Sequence, residues 1–238
     1  MAIGKDIICL QEALGYEFSD LTYLEIALTH SSYTNEQRAR GITAHSNERL
    51  EFLGDAVLEL VISERLYDGF KKYREGALTR MRQQLVCERT LAEIAEQLEI
   101  GLYLNVGHGE EETSCRTRPK VLADAMEAVI AAMYLDSEAR GDRAYRDAVL
   151  KLFEPKIESI AGSQKTDYKT QLQQLTEQDG TALLEYRVLD ESGPHHNRTF
   201  TVAAFVNNNE VGRGVASTKK NAEMQAAKMA LKLFGVGV

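Results

Sequence analysis

The segment Asn47-Glu48-Arg49-Leu50-Glu51-Phe52-Leu53-Gly54-Asp55 sets three acids at helical spacing inside an otherwise apolar stretch. Leu50, Leu53 and Val57 form one stripe of an α-helix, while Glu48, Glu51 and Asp55 lie three and four residues apart and stack on a neighbouring face. Like charges so placed repel, by roughly 0.2–0.5 kcal/mol per pair in a bare helix. The spacing calls for a compensating cation, and a divalent metal is the strongest candidate.

A second pair repeats the pattern. Val121-Leu122-Ala123-Asp124-Ala125-Met126-Glu127-Ala128-Val129 places two carboxylates at i and i+3 among small and apolar residues. Four oxygen donors from two packed helices suit Mg²⁺ or Mn²⁺, hard ions that prefer carboxylate and water. Either pair alone is better explained as a solvated helix face, the commoner place for acids. Together, in the two most apolar helical stretches of the first half, they favour a metal.

Asn47–Asp55 resembles the signature of ribonuclease III, the endonuclease family that cuts double-stranded RNA. Leu28–Glu36, Arg74–Arg82 and Leu122–Ala128 are similar to family segments in the same order, and the likeness covers nearly the whole chain. The resemblance implies a metal-dependent endoribonuclease with Mg²⁺ as cofactor and Mn²⁺ able to substitute. Glu51, Asp55, Asp124 and Glu127 would be the carboxylate ligands, with Asp55 and Glu127 the two whose loss hurts most. It further implies cleavage of both strands, 5′-phosphate and 3′-hydroxyl ends with two-nucleotide 3′ overhangs, and roles in ribosomal RNA precursor processing and mRNA processing or decay. Glu48 and Glu75 match acids linked to RNA contact rather than to metal, although a structural salt bridge to Arg80 or Arg82 is a rival for Glu75. Phe52 is core by default. The resemblance instead places it in a partner subunit, as part of a homodimer whose two active sites each cut one strand.

Composition bears on the partner. The 238 residues carry a formal charge of −8, which argues at first sight against a phosphate backbone. Residues 164–238, however, hold nine basic and eight acidic residues, net +1, leaving nineteen and twenty-eight, net −9, for residues 1–163. The acidity belongs to the part with the carboxylates. No apolar run reaches the roughly 20 residues that span a bilayer, and the start lacks the apolar core of a secretory signal, so a cytoplasmic protein with no membrane association is expected. Cys9, Cys87 and Cys115 suit neither a disulfide framework nor a CxxC zinc pair.

Spacings of three and four predict helices over Ile7–Leu14, Leu21–Thr29, Glu48–Asp68, Leu78–Cys87, Arg89–Gln97, Val121–Asp136 and Asp142–Glu158, hence an all-α domain over residues 1–160. Polar Val106–Ser114 reads as a loop. Small and polar residues 161–166 read as a flexible linker. Residues 167–238 then change period: a helix over Tyr168–Glu177, alternation at Leu184, Tyr186 and Val188 and again from Phe200 to Val206, and a final helix over Lys219–Phe234. The expected fold is therefore multidomain, an all-α endonuclease domain plus a small α+β module of order α-β-β-β-α.

That order, with Gly193-Pro194-His195-His196, Gly212-Arg213-Gly214 and Thr218-Lys219-Lys220, resembles the double-stranded RNA-binding domain. Ser217 or Thr218 is placed to cap the last helix, yet Lys219 and Lys220 fall in its first turn, where the helix dipole disfavours cations. A phosphate held there would explain them; a solvated lysine pair is the bland alternative. By resemblance, Gln171 and Gln174 face one minor groove, His196 the next, and Lys219 with Lys220 the phosphates between, reading duplex shape rather than sequence. Ala216 departs from the glycine many family members carry. A catalytically silent RNA-binding regulator would have lost acids from the cluster. A ferritin-type carboxylate protein would want Glu-x-x-His pairs, which these acids do not form.

Overall fold

The computed structural model describes residues 7–165, 168–177, 183–193 and 198–236. The chain divides into two compact units, Met1–Ile160 and Ala161–Val238.

The first unit is helical. Its elements are α1 (Ile7–Leu14), α2 (Leu21–Ala27), α3 (Ser31–Ala39), α4 (Glu48–Gly69), α5 (Glu75–Leu85), α6 (Glu88–Gln97), the single turn α7 (His108–Glu111), α8 (Pro119–Arg140) and α9 (Ala144–Lys165). The predicted loop over residues 106–114 thus contains one helical turn. At its centre lies α8, buried around most of its circumference by Leu122, Ala125, Met126, Ala128, Val129, Ile130, Ala132 and Met133. A helix apolar on all sides has to be enclosed, and α2, α4 and α6 enclose this one. Pro119 starts it, at a position where the missing N–H costs no hydrogen bond.

Each end of α8 carries acids, in different settings. Near its C-terminal end Asp136, 1% exposed, accepts hydrogen bonds from Tyr16 Oη at 2.9 Å and from the backbone N–H groups of Ser19 and Asp20 at 3.1 and 2.9 Å. It also pairs with Arg140 at 3.0 Å. A buried carboxylate so satisfied is a structural anchor that pins residues 16–20 to the central helix. Burial, against this background, pushes the Tyr16 hydroxyl up to about 12.

Residues 161–165, read from composition as linker, continue α9. Phe153, Ile157 and Ala161, all buried, follow one another at four-residue spacing, so the apolar stripe outruns the domain's last large side chain and carries the helix with it.

In the second unit α10 (Tyr168–Glu177) precedes the antiparallel strands β1 (Leu184–Ser192), β2 (Thr199–Val206) and β3 (Asn209–Ala216), in sheet order β1-β2-β3, and α11 (Lys219–Leu233) follows. Asn207 and Asn208, both at positive φ, close the two-residue β2–β3 hairpin, which favours asparagine for that reason. Leu172, Ala204, Ala226, Ala227, Ala230 and Leu231 form the core. Gly212 and Gly214 let α11 lie directly on β3: a Cβ on either would stand 2.3 Å from the Ala226 carbonyl oxygen or 2.2 Å from that of Ala222. The helical first unit and the α-β-β-β-α second unit are both as the sequence pattern predicts.

Candidate active site

Glu51 and Asp55 lie on α4, Asp124 and Glu127 on α8, and a glycine brings the two helices together. A Cβ on Gly54 would stand 1.9 Å from the carbonyl oxygen of Glu127, so the α4 backbone touches the α8 backbone at the level of the acids. Asn47 fixes where α4 begins: it is buried, and its N–H donates to the Thr29 carbonyl at 2.8 Å.

The electrostatics record this proximity. Glu127 is half-buried, and its carboxyl is pushed up to about 7, first by burial and then by the fields of Asp55, Glu51 and Asp124. Glu51 is also raised, by burial and then by Asp124, with a smaller push from Glu48. Lys120, one turn before Asp124, opposes both shifts and places its Nζ 3.2 Å from each Asp124 carboxylate oxygen. Among the described residues no group of three or more His, Cys, Asp or Glu side chains is drawn into a ready metal-binding constellation. Asp124 is instead paired with Lys120. The donor chemistry fits a hard divalent ion: four carboxylates carried on two helices that touch at Gly54.

The remaining candidates separate from this cluster. Glu48 is exposed and accepts from Ser46 Oγ at 2.9 Å. Glu75, the first residue of α5, accepts from Thr79 Oγ1 at 2.9 Å, while Arg82 donates to Ser63 Oγ at 3.0 Å. Phe52 is 82% exposed, which overturns its default assignment to the core; it points out of α4 because Leu50 and Gly54 are the residues turned inward. His30 caps α3, its Nδ1 accepting from the Ser32 N–H at 3.2 Å. On the second unit Lys219 and Lys220 are exposed in the first turn of α11, and Thr218 is the cap, accepting from the Asn221 N–H at 3.2 Å. Gln171 is half-buried on α10. The Gln174 side chain and His196 lie outside the described residues.

Sequence reasoning missed Gly54 and Lys120. A glycine inside a strongly helical run signals close backbone approach. A lysine four residues from an acid on the same helix signals an ion pair.

Comparison with known proteins agrees with both halves of the chain. A family model described as Ribonuclease-III-like matches residues 20–155, and one described as Double-stranded RNA binding motif matches residues 168–233. Together they define a helical nuclease followed by an RNA-binding module. Ribonuclease 3 of Listeria innocua is 44% identical over 226 residues, covering 93% of this chain and 95% of that protein. Ribonuclease 3 of Geobacillus kaustophilus is 46% identical, covering 94% and 89%. A solved nuclease domain of ribonuclease III from Campylobacter jejuni, studied for flexibility in a region involved in dimer formation, matches at 38% identity and a TM-score of 0.56 over 63% of this chain and 97% of that one. The chain belongs to the ribonuclease III family and is an endoribonuclease.

Proposed function

We propose that this endoribonuclease binds double-stranded RNA through residues 167–238 and hydrolyses both strands with residues 1–160, residues 161–166 joining the two. The observation that carries the reading is Glu127, pressed among Asp55, Glu51 and Asp124 where α4 and α8 touch. Glu51, Asp55, Asp124 and Glu127 would hold Mg²⁺, with Mn²⁺ able to substitute. When bound, the ion supplies water activation and charge relief on the phosphoryl oxygens. The four carboxylates would position it and offset its charge, Glu127 among them as a carboxylate ligand. Water adds to phosphorus as the 3′-oxygen departs with a proton, leaving 5′-phosphate and 3′-hydroxyl ends.

The α4 face bearing Phe52, Ala56, Leu60 and Tyr67 supports a homodimer. These residues follow at spacings of four and seven, all are exposed, and Phe52, Leu60 and Tyr67 are 82%, 55% and 74% exposed. Beside them runs a groove of about 1040 Å³ lined by Tyr23, Ile26, Leu53, Leu135 and Phe52 itself. A knob and a groove on one patch are self-complementary under two-fold symmetry. Two sites so related cut the two strands at a stagger, giving short 3′ overhangs. Lys219 and Lys220 would hold phosphates, Gln171, Gln174 and His196 the minor grooves, and Glu48 and Glu75 further RNA contacts. Ribosomal RNA precursors and mRNAs in the cytoplasm are the proposed substrates.

Glu127→Gln tests the site. It should fold and bind a labelled duplex, yet cleave it in Mg²⁺ at least about a hundredfold more slowly. Near wild-type cleavage would sink the assignment. Phe52→Asp should shift the protein towards monomer in sedimentation equilibrium; an unchanged dimer would remove Phe52 from the interface.

A further inference from the structure

Lys120 stands in the first turn of α8, directly behind Pro119, where unpaired backbone N–H groups make a cation unwelcome. Its ammonium is nonetheless held there, 3.2 Å from both oxygens of Asp124. A residue that breaks the helix-dipole preference in favour of a neighbouring acid cluster is serving the cluster.

We propose that Lys120 is the resident counter-cation of the carboxylate site, neutralising Asp124 while no divalent ion is bound and yielding that carboxylate when one arrives. The proposal rests on the reading of the four acids as metal ligands. The exposures suit an exchange: the Lys120 side chain is 72% exposed and swings readily into water, whereas Asp124, at 27%, stays with the site. An exposed monovalent pair is weak, so a divalent ion gathering several hard oxygens displaces it. Lys120 therefore has two opposed effects. It stabilises the ion-free protein, and it weakens the apparent affinity for the ion, because binding must first break the pair.

Calorimetric titration of the full-length protein with Mg²⁺ and with Mn²⁺, without RNA, tests this alongside melting temperatures with and without the ions. Lys120→Met should bind either ion about two- to fivefold more tightly than wild type, the span an exposed ion pair supports. It should melt lower than wild type without ions and level with it at saturation. Lys120→Arg keeps the charge and should keep wild-type affinity. Equal or weaker binding by Lys120→Met, with wild type binding normally, would overturn this inference alone. Failure of wild type to bind either ion, matched by Glu127→Gln, would overturn the site reading and this inference with it.

Discussion

At Gly54 and at Gly212 the chain uses an absent side chain for the same purpose, to bring a helix against the backbone of its neighbour, but what lies beside the two contacts differs. Next to Gly54 are Glu51, Asp55, Asp124 and Glu127, so close packing concentrates like charge. Next to Gly212 and Gly214 are Ala222, Ala226 and Ala230, so close packing there is neutral, and the charges of that unit, Lys219 and Lys220, stand exposed at the end of α11. A site that must perturb proton affinity and gather a cation needs partial burial. A surface that grips a polyanion needs its cations in solvent, at the cost of salt sensitivity.

The largest expected effect comes from spoiling these contacts. Gly54→Ala sets a Cβ 1.9 Å from a backbone oxygen that cannot rotate away, so α4 and α8 must separate. The cost should reach about 3 kcal/mol or more, the upper end for overpacking, and cleavage should be lost with it. Gly212→Ala, 2.3 Å from the Ala226 carbonyl, should instead lower the unfolding midpoint of the second unit and leave low-salt cleavage intact. Urea unfolding of both variants checks this; a wild-type midpoint for Gly54→Ala would refute the close contact.

A smaller effect follows from pH. Glu127 is raised from 4.5 to about 7 in the ion-free protein, so the folded chain binds its proton more tightly than the unfolded chain. The group has no pH-dependent effect below about 4.5, where both states are protonated; above it the unfolded chain releases the proton that the folded chain keeps, so stability falls until about pH 7, where the penalty levels off. Glu51, raised as well, adds in the same direction. Asp142 acts oppositely and elsewhere: held down to about 2 chiefly by the Ala144 N–H and by Arg140, it supplies stability lost only as pH falls from 3.8 towards that value. The melting temperature of Glu127→Gln minus that of wild type, measured without divalent ions, should therefore grow between pH 4.5 and 7. A flat difference would mean that the two helices do not share their charges.

Much of this was legible in residue spacing. The stripes of α4 and α8 and the change of period in the second unit follow directly from periodicity. Elsewhere the pattern is silent for physical reasons. Helix α3, Ser31–Ala39, buries only Thr34, so it carries no apolar stripe to read. The run of α9 through residues 161–165 depends on Ala161 extending the line of Phe153 and Ile157, which small polar neighbours obscure. Phe52 is apolar and looked internal, since spacing cannot tell an unpartnered apolar face from a core-facing one. The four acids were recognisable as a set, but the contact that unites them comes from Gly54, a residue defined by what it lacks.

The smallest structural effect, and the sharpest contrast with the acid site, is expected at the end of α11. Replacing Lys219 and Lys220 by Ala removes two cations from a helix start, and Thr218 still caps Asn221, so stability should hold or rise slightly. Affinity for duplex RNA should nevertheless fall if, as proposed, those side chains hold phosphate at the helix start. Two lost contacts should flatten the slope of log affinity against log salt by roughly one unit each, equally for duplexes of unrelated sequence. In the first unit, relieving repulsion by Glu127→Gln is expected to abolish chemistry and spare binding; here, relieving repulsion weakens binding and leaves the chemistry of bound duplex intact. Filter-binding titrations of the full chain in Ca²⁺ over a range of salt, paired with cleavage rates at saturating protein, separate the two. An unchanged slope would return both lysines to the solvated surface.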